Sequence, residues 1–372
     1  MTDFDIAIIG AGIAGASVAA EISGSLSVVL LEAEAQPGYH STGRSAAFWV
    51  ESYGGPLVQP LTTASGAFLS KPPIDFFDGP LIIPRGALHI GTRDDLDSLR
   101  QMQREFSESG VQFEEISMQA TAAKIPGLRE GWTEAFWEPD CCDIDVAALH
   151  QAYLRRAKRN GTHLRCRAPM HRAKWLGNKW QIDTGGESFS AANIVNAAGA
   201  WADEVATRCG VASLDIIPFR RSVVQLATKP GAPVSLPLVI GLDGSFYFKP
   251  QAAGKVWLSP HDETRCLPGD AAPEEMDIAL AIDRFEKVVD WEITRVEHKW
   301  AGLRSFAPDR LPVIGRDSTI PEFFWFAGQG GFGIQTAPAA AELAASLLLE
   351  SSNGPEGVEA ELYSPGRFNA RR

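Results

Sequence analysis

Residues 4–32 contain the pattern that most constrains how this chain can fold. A short apolar run over residues 4–9 ends at Gly10 and opens the glycine spacing Gly10-x-Gly12-x-x-Gly15. Residues 13–22 then read as a helix, and residues 27–31 read as a second apolar strand that is followed by Glu32. This order predicts a βαβ unit with a parallel sheet, which is typical of dinucleotide-binding folds.

The three glycines and the acid each have a physical role in such a unit. Gly10 permits a tight turn, Gly12 lets the backbone approach a pyrophosphate, and Gly15 allows the helix to pack closely on the strand. The start of the helix offers N–H groups and a positive dipole end to the phosphates. Glu32 can accept hydrogen bonds from ribose hydroxyls and disfavours a 2′-phosphate, so NADP is not expected. These features alone fit NAD and FAD equally well.

The length and charge of the chain narrow the classes of function. A chain of 372 residues is typical of two domains. Its net charge of −12 argues against a nucleic-acid partner, and it means that an anionic substrate needs a local cationic site. The five cysteines are an odd number without a C-x-x-C spacing, which favours reduced thiols over disulfides. We predict no metal site.

The N-terminal sequence also bears on the location of the protein. It is acidic before its apolar run, unlike a signal peptide. The longest apolar helical stretch, residues 339–349, is too short to cross a bilayer. We therefore expect a cytoplasmic protein without a transmembrane segment, and contact with the surface of the inner membrane stays open.

Four further segments resemble one family of flavoenzymes. They are residues 38–46 (GYHSTGRSA), 195–201 (VNAAGAW), 300–306 (WAGLRSF) and 329–336 (QGGFGIQT). The sequence resembles the D-amino-acid oxidase and glycine oxidase (DAO) superfamily of FAD-dependent oxidoreductases, and among its members it is most similar to bacterial D-arginine dehydrogenase. The resemblance runs from residue 6 to about residue 336. It implies that the cofactor is FAD, held non-covalently.

The resemblance and the strand pattern together predict the architecture. We expect an α/β protein with a Rossmann-type, glutathione-reductase-like FAD-binding domain and a second, α+β substrate domain built on an antiparallel sheet. The FAD-binding domain is predicted to be discontinuous, over residues 1–78, 145–212 and 306–372. The substrate domain takes residues 79–144 and 213–305, where several strand-like runs follow one another.

The resemblance also assigns residues to the cofactor. The turn of residues 10–15, which we call the glycine turn, and Glu32 would hold the pyrophosphate and the ribose. Residues 41–48 would meet the pyrophosphate and the isoalloxazine. Residues 330–336 would lie under the pyrimidine end of the flavin. The predicted cofactor-binding residues are Gly10, Gly12, Ala14, Gly15, Glu32, Ala33, Ser41, Thr42, Gly43, Arg44, Ser45, Ala46, Ala47, Phe48, Met170, Ala198, Gly199, Gly330, Gly331, Phe332, Gly333, Ile334, Gln335 and Thr336.

Four residues are predicted to bind the substrate carboxylate. Residues 220–221 are two arginines in a strand-like run, and alternation sends them to opposite faces, so that one can face the cavity while its neighbour faces solvent. The resemblance selects Arg221, together with Tyr247, Arg304 and Tyr53 from an active-site lid. Arginine suits this task because it presents parallel N–H donors and stays charged when buried. We interpret Lys249 as a solvated or structural lysine.

The residues that read the substrate side chain differ from those of D-arginine dehydrogenases. Where relatives that take arginine have a glutamate, this chain has Ala87; Phe48 and Trp49 replace a histidine and a tyrosine, and Phe332 replaces a tyrosine. Each change removes polarity, and a buried guanidinium would lack an acceptor. We therefore predict a preference for apolar side chains.

The predicted reaction is the FAD-dependent oxidative deamination of a small D-amino acid. A hydride leaves the α carbon, and the resulting imino acid hydrolyses in water to a keto acid. Two alternatives are left open: oxidation of an N-substituted amino acid or a 2-hydroxy acid at the same carboxylate site, and a flavoprotein without turnover that serves in electron transfer. The acceptor that reoxidises the flavin, oxygen or a quinone, and the oligomeric state are not indicated by the sequence.

Overall fold

A computed structural model of the chain describes residues 3–371. Its α-helices are α1 (Ile13–Ile22), α2 (Gln59–Ser70), α3 (Leu96–Glu105), α4 (Met118–Lys124), α5 (Val146–Arg159), α6 (Ala202–Arg208), α7 (Glu275–Val288) and α8 (Ala337–Leu348). Short 3-10 helices occur at Ser41–Arg44, Arg93–Asp95, Gly199–Trp201, Ala252–Gly254, Ala360–Tyr363 and Pro365–Arg371.

The strands form three sheets. In chain order they are β1 (Asp3–Ile9), β2 (Val28–Leu31), β3 (Phe48–Trp49), β4 (Ile82–Pro84), β5 (Ala87–Gly91), β6 (Glu114–Glu115), β7 (Glu134–Glu138), β8 (Cys142–Ile144), β9 (His163–Arg165), β10 (Arg172–Trp175), β11 (Trp180–Asp183), β12 (Ser188–Asn196), β13 (Ile217–Lys229), β14 (Leu238–Gly241), β15 (Tyr247–Gln251), β16 (Lys255–Ser259), β17 (Thr264–Arg265), β18 (Glu292–Phe306), β19 (Val313–Arg316) and β20 (Phe323–Ala327).

The first sheet has the parallel core that the N-terminal pattern predicts. Its order is β10-β11-β12-β1-β2-β9, and β20 pairs with β12 and β19. Strand β1 is parallel to both β2 and β12. Alternate residues of β1 supply two hydrophobic layers: Ile6 and Ile8 pack with α1, α5 and α8, whereas Ala7 and Ile9 pack on the opposite side with Trp180. Helices therefore cover a sheet that is apolar on both faces.

The second sheet is mostly antiparallel and contains nine strands. Its order is β17-β13-β16-β15-β14-β5-β7-β6, and β18 also pairs with β13. Among the described strands of this sheet, only β5 and β14 pair in parallel. Helix α7 covers this sheet, with Phe285 packed against Phe248 at a ring distance of 5.1 Å. The α/β fold class is confirmed.

A small third sheet, β3-β8-β4, lies where the chain passes between the two large ones. The first strand-like run of the predicted substrate domain is divided into β4 and β5, because Arg85 and Gly86 interrupt it and Gly86 has a φ of 72°. The strands of the first sheet come from the segments predicted for the FAD-binding domain, and those of the second come from the other segments apart from the last residue of β18. The domain boundaries themselves stay a prediction.

Within residues 3–371, none of the helices combines the length and the apolar character that a membrane span requires.

Candidate active site

The turn between β1 and α1 depends on two glycines. Gly10 has a φ of 99°, and a Cβ there would lie 2.6 Å from the carbonyl oxygen of Ala197. A Cβ at Gly15 would lie 1.9 Å from the carbonyl oxygen of Gly10, so α1 can approach β1 only because this position is glycine. Gly12, the N-cap residue of α1, supplies no side-chain cap, and a ligand can cap the helix in its place.

Glu32 lies beside this turn, at the end of β2. Its side chain is buried, with 8% of the residue exposed. Oε2 accepts the N–H of Ala11 at 2.9 Å, and Oε1 accepts the N–H of Glu34 at 2.9 Å. Each oxygen of a carboxylate can accept more than one hydrogen bond, so the predicted contact with ribose hydroxyls fits this arrangement.

The loop of residues 38–46 is held against both large sheets. Thr42 Oγ1 accepts the N–H of Ile13 at 2.9 Å, which fixes the loop to the start of α1. Ser41 Oγ donates to the carbonyl of Leu303 at 2.6 Å on β18. Arg44 Nη1 donates to the carbonyl of Ala301 at 3.0 Å, and its Nη2 is paired with Asp270. The loop is therefore built into the fold on both sides of the cleft.

A cavity of about 440 Å³ runs from the glycine turn to the second sheet. Many of the predicted residues line it together. They are Gly10, Gly12, Ala14, Glu32, Ala33, Ser41, Thr42, Arg44, Ser45, Ala46, Met170, Ala198, Gly199, Gly330, Gly331, Gly333 and Ile334 from the predicted cofactor set, and Arg221, Tyr247 and Arg304 from the predicted substrate set.

The remaining predicted cofactor residues lie just outside this lining. Gly15 packs under the turn, and Phe332 is buried with Val58 and Phe306. Gln335 and Thr336 are buried at the start of α8, where Thr336 Oγ1 donates to the carbonyl of Phe332 at 2.9 Å. Gly43, Ala47 and Phe48 belong to the loop and to β3 rather than to the cavity wall.

Arg221 is the most buried cation of the cavity, with 4% of the residue exposed. Its Nε donates to the carbonyl of Asp262 at 2.7 Å, and its Nη2 donates to Glu263 at 3.1 Å. Nη1 is buried and has no hydrogen-bond partner among the described residues. Burial, with the nearby Arg304 as the second cause, lowers the pKa of Arg221 to about 10, so the guanidinium stays charged at neutral pH. The free N–H edge is a ready donor for an anion.

Arg304, Tyr53 and Tyr247 complete a group that we call the carboxylate clamp with Arg221. Arg304 Nη1 donates to Tyr53 Oη at 2.6 Å. Tyr247 is buried on β15 and contacts Phe48 at a ring distance of 6.1 Å. Gly331 lies directly against the clamp, since a Cβ there would be 2.1 Å from Tyr53 Oη. Gly331 and the clamp residues Arg221, Tyr247 and Arg304 thus line the cavity together.

Arg220, the chain neighbour of Arg221, lies on the opposite face of β13. The predicted alternation is correct, but the expected solvent exposure is wrong, because Arg220 is buried among acidic side chains. Its nitrogens lie 2.5 Å from Glu274, 2.9 Å from Asp277 and 3.8 Å from Asp262. Each arginine thus has one buried nitrogen without a hydrogen bond among the described residues, but that of Arg220 lies 3.8 Å from a carboxylate of Asp262, and three carboxylates neutralise Arg220 where Arg221 is paired with Glu263 alone.

Tyr53 belongs to a turn over residues 50–55, which we call the lid turn. Gln335 holds it from one side: Oε1 accepts the N–H of Val50 at 3.2 Å, and Nε2 donates to the carbonyl of Tyr53 at 3.2 Å. Glu138 holds it from the other side, accepting the hydroxyl of Ser52 at 2.7 Å and its N–H at 3.2 Å. His89 Nε2 lies 3.1 Å from the same carboxylate.

Beside the clamp, apolar residues form one small cluster that we call the side-chain wall. It contains Ala46, Val50, Ala87, Cys141, Leu238 and Tyr247, with Phe48, Tyr53, Ile240 and Trp257 packed against it. Ala87 is fully buried in this cluster. Trp49, which was also predicted here, turns towards α2, where its indole N–H donates to the carbonyl of Thr62 at 2.8 Å.

Lys249 is structural and buried, not solvated. Its Nζ donates to Asp143 at 2.9 Å, and it lies 4.6 Å from the centre of the Phe48 ring and 5.1 Å from that of Trp257. Burial lowers the pKa of Lys249, and Asp143 opposes this effect. No group of three or more His, Cys, Asp or Glu side chains able to hold a metal ion occurs among the described residues.

Sequence reasoning missed several residues of the site. Val223 and Trp201 line the cavity, and Asp262 and Glu263 orient Arg221. Val223 follows Arg221 by two positions on β13, so strand alternation contained a usable signal for it. Asp262 and Glu263 lie in an irregular segment before β17, and no local pattern connects them to Arg221.

The residues of the cleft fit FAD on structural grounds. Gly12 supplies no side-chain cap to α1, Glu32 lines the cavity beside the turn, as its predicted contact with the ribose requires, and the cavity continues from there to the clamp. Arg208 Nη1 donates to the carbonyl of Met170 at 2.8 Å, which fixes the backbone of this predicted cofactor-binding residue. An elongated dinucleotide is the ligand shape that such a cleft accepts.

Comparisons with known proteins agree with this assignment. The sequence model of the family described as FAD dependent oxidoreductase (DAO) matches residues 5–347. This match covers most of the chain. It confirms the predicted family and the FAD cofactor, whereas the particular similarity to D-arginine dehydrogenase stays a prediction.

Curated relatives match parts of the chain. Identity is 27% over 183 residues with bovine FAD-dependent oxidoreductase domain-containing protein 1, where the match covers 44% of this chain and 37% of that protein. Identity is 26% over 255 residues with mouse mitochondrial dimethylglycine dehydrogenase, where the match covers 62% of this chain and 28% of that protein. It is 32% over 209 residues with the tRNA 5-methylaminomethyl-2-thiouridine biosynthesis bifunctional protein of Maricaulis maris, covering 55% and 32%. The matches thus span less than two thirds of each relative.

Solved structures match over nearly the whole chain. Glycine oxidase from Geobacillus kaustophilus superposes with a TM-score of 0.85 at 20% identity, covering 98% of both chains. L-proline dehydrogenase from P. horikoshii superposes with a TM-score of 0.84 at 22% identity, covering 99% of this chain and 98% of that chain. At these identities the similarity establishes the fold.

Proposed function

The chain belongs to the DAO family of FAD-dependent oxidoreductases, and from this premise we propose that it oxidises a small D-amino acid with an apolar side chain. The product is the imino acid, which hydrolyses in water to a 2-oxo acid and ammonia. The D configuration follows from the resemblance of the sequence motifs. The carboxylate and the apolar side chain follow from the residues around the cavity.

The free edge of Arg221 is the observation that carries this proposal. Arg221 is held by Asp262 and Glu263 on two of its nitrogens, and the third is buried without a partner. A buried unpaired donor on a charged group is costly unless a ligand completes it. Arg304 and the Tyr53 hydroxyl supply further donors beside it. A substrate carboxylate matches this donor set in charge and in geometry.

The clamp performs orientation rather than proton transfer. Two guanidinium groups on the paired strands β13 and β18 fix the carboxylate, so the α carbon is held in the cavity beside the clamp. Tyr53 closes over the carboxylate, and the neighbouring apolar rings exclude water. When bound, FAD supplies the two-electron acceptor for the hydride of the α carbon. The substrate reacts as the neutral amine, and no side-chain base is required.

The side-chain wall supports the choice of an apolar substrate. Ala87 presents a methyl group, and Leu238, Ile240 and Phe48 surround it with hydrocarbon. Glu138 lies opposite Ala87 on the adjacent strand, but its carboxylate is already bonded to Ser52 and His89. A guanidinium or ammonium in this pocket would have to share the Glu138 carboxylate with Ser52 and His89 to be neutralised.

Oxidation of an N-substituted amino acid is the second candidate function. It is favoured by the similarity to dimethylglycine dehydrogenase and to the methylaminomethyl-forming tRNA protein. The same clamp would hold the carboxylate of such a substrate. The N-substituent would then occupy the space that a primary amine leaves free.

Anaerobic bleaching of the flavin absorbance tests the proposal. The panel contains the D and L forms of leucine, methionine, phenylalanine and arginine, together with sarcosine and 2-hydroxy acids. We expect bleaching by the apolar D-amino acids. Faster bleaching by sarcosine would favour the second candidate, and bleaching by none of the compounds would favour a flavoprotein without turnover.

A further inference from the structure

His150 is a buried histidine that the proposed reaction does not use. It lies on α5, with 5% of the residue exposed, beneath the two loops that form the cofactor cleft. Its Nε2 lies 2.9 Å from the carbonyl oxygen of Ala11. Its ring also packs on Gly38, where a Cβ would lie 2.8 Å from Cε1. One imidazole therefore contacts both the glycine turn and the loop of residues 38–46.

The hydrogen bond at Nε2 has a defined direction. A carbonyl oxygen can only accept, so Nε2 carries the proton and donates it. Burial lowers the pKa of His150, which favours the neutral ring, and the hydrogen bond to Ala11 selects the tautomer with its proton on Nε2. The N–H of Ala11 is held as well, since it donates to Glu32 at 2.9 Å. Both polar groups of Ala11 are thus fixed by buried side chains.

This bond also determines where the next N–H points. In a trans peptide the carbonyl of one residue and the N–H of the following residue point in opposite directions. With the Ala11 carbonyl directed at His150, the N–H of Gly12 is directed away from α5. Gly12 lines the cavity, whereas Ala11 and His150 do not. His150 therefore sets the orientation of the Gly12 N–H, which faces the cleft.

We propose that His150 is a positioning residue for the cofactor: it fixes the Ala11–Gly12 peptide so that the Gly12 N–H donates to the pyrophosphate of FAD. Without the bond, this peptide loses one of its restraints, and the buried carbonyl of Ala11 loses its donor. Loss of this hydrogen bond should weaken the binding of FAD and leave the carboxylate clamp unchanged. The inference depends on FAD as cofactor and is independent of which substrate is oxidised.

Titration of the apo-protein with FAD tests this role. His150→Gln keeps an amide N–H near the position of Nε2, whereas His150→Leu removes the donor. We expect H150L to raise the FAD dissociation constant about 10-fold or more and H150Q to stay within about 3-fold of wild type, since a buried acceptor loses its partner only in the first. If H150L does not fold, H150N takes its place in the comparison with H150Q, because the side-chain amide of Asn is one methylene shorter than that of Gln.

Tyr153→Phe is the matched control on the same helix. The Tyr153 hydroxyl is buried and has no hydrogen-bond partner among the described residues, so its removal should leave FAD affinity unchanged. The proposal is overturned if H150L, or H150N in its place, binds FAD as tightly as wild type. It is equally overturned if H150Q is weakened as much as the variant without the donor, because packing alone would then explain the loss.

Discussion

Arg220 and Arg221 are neighbours in the chain with opposite electrostatic surroundings. Arg220 is surrounded by three carboxylates that neutralise it. Arg221 has one carboxylate and one carbonyl, and these leave Nη1 free. One step along a strand therefore separates a structural cation from the cation that we propose binds the substrate. The number of partners, more than burial, distinguishes the two roles, since both residues are buried.

The first prediction concerns the two arginines of the clamp. Arg221→Ala or Arg304→Ala should slow the reduction of bound flavin by D-leucine, because loss of a charge-assisted pair in a closed site costs about 2–5 kcal/mol. FAD affinity should stay near that of wild type. Arg316→Ala is the matched control, since Arg316 bonds to Asn193 on the first sheet, and Arg316 does not line the cavity. Near-normal reduction rates in both clamp variants would exclude this assignment.

The second prediction concerns side-chain recognition at Ala87. Ala87→Glu adds a carboxylate to the apolar wall and should shift kcat/KM from D-leucine towards D-arginine. Ala87→Gln adds a similar volume without charge and should lower kcat/KM for all substrates alike. Since the site is fully buried, A87Q is expected to lose about 1–3 kcal/mol of stability through overpacking, and A87E should lose more, because its carboxylate is also buried opposite Glu138.

The ratio of kcat/KM for D-arginine to D-leucine, measured in wild type and in both variants, checks this prediction. An unchanged ratio in A87E, with the protein folded, would remove Ala87 from the specificity pocket.

At the scale of elements, the lid turn connects the two large sheets. Gln335, at the start of α8, holds the turn from the side of the first sheet, and Glu138, at the end of β7, holds it from the second. Gly54 and Gly55 both have positive φ, at 104° and 84°, and follow Tyr53 directly. The turn is thus fixed at its start and conformationally permissive at its end.

The third prediction follows from this anchoring. Ser52→Ala removes the 2.7 Å bond to Glu138, and hydrogen bonds to charged groups contribute about 1.5–3 kcal/mol. We expect the KM for D-leucine to rise about 10-fold, because Tyr53 is no longer held over the carboxylate. Ser52→Thr, which keeps the hydroxyl, should restore most of the affinity.

Steady-state kinetics in a Tyr53→Phe background give the decisive control for the lid turn. If Ser52 acts through Tyr53, the effect of S52A should largely disappear in that background. A full and additive effect there would show that Ser52 acts by another route.

The elements that the sequence predicted well are those whose pattern is local. Helix α1 has the predicted bounds, because its apolar periodicity and the glycines before it lie within one short segment. Strand β18 was not predicted as a strand. Its first half is largely exposed and polar, and its partner β13 is distant in the chain. The bond between Arg304 and Tyr53 spans 251 residues, so only the family motifs could bring those two positions together.

At the scale of the whole molecule, the cavity links two sheets of different origin. Its first end is built by β1, α1 and β2, which share a parallel core, and its second end by β13, β15 and β18 of the antiparallel sheet. The loop of residues 38–46 and the turn of residues 329–336 cross between them. Binding of FAD in this cleft would therefore stabilise both sheets at once.

The fourth prediction concerns removal of the cofactor. The purified protein should be yellow, and denaturation should release FAD into solution, because the turn of residues 329–336 contains neither cysteine nor histidine. At a free FAD concentration of about 1,000 times Kd, binding stabilises the fold by about 4 kcal/mol, so the apo-protein should have a lower Tm. Flavin that precipitates with the polypeptide would contradict non-covalent binding.

The central claim is that the clamp selects a carboxylate on the substrate of a flavoenzyme. Stopped-flow measurement of anaerobic flavin reduction by D-leucine and by 3-methylbutylamine, which has the same side chain but no carboxylate, tests it most directly. The account predicts rapid bleaching by D-leucine and, at equal concentration, reduction by the amine that is slower by about 30-fold or more, as loss of a charge-assisted contact requires. Equal rates for the two compounds, or bleaching by the amine alone, would contradict it.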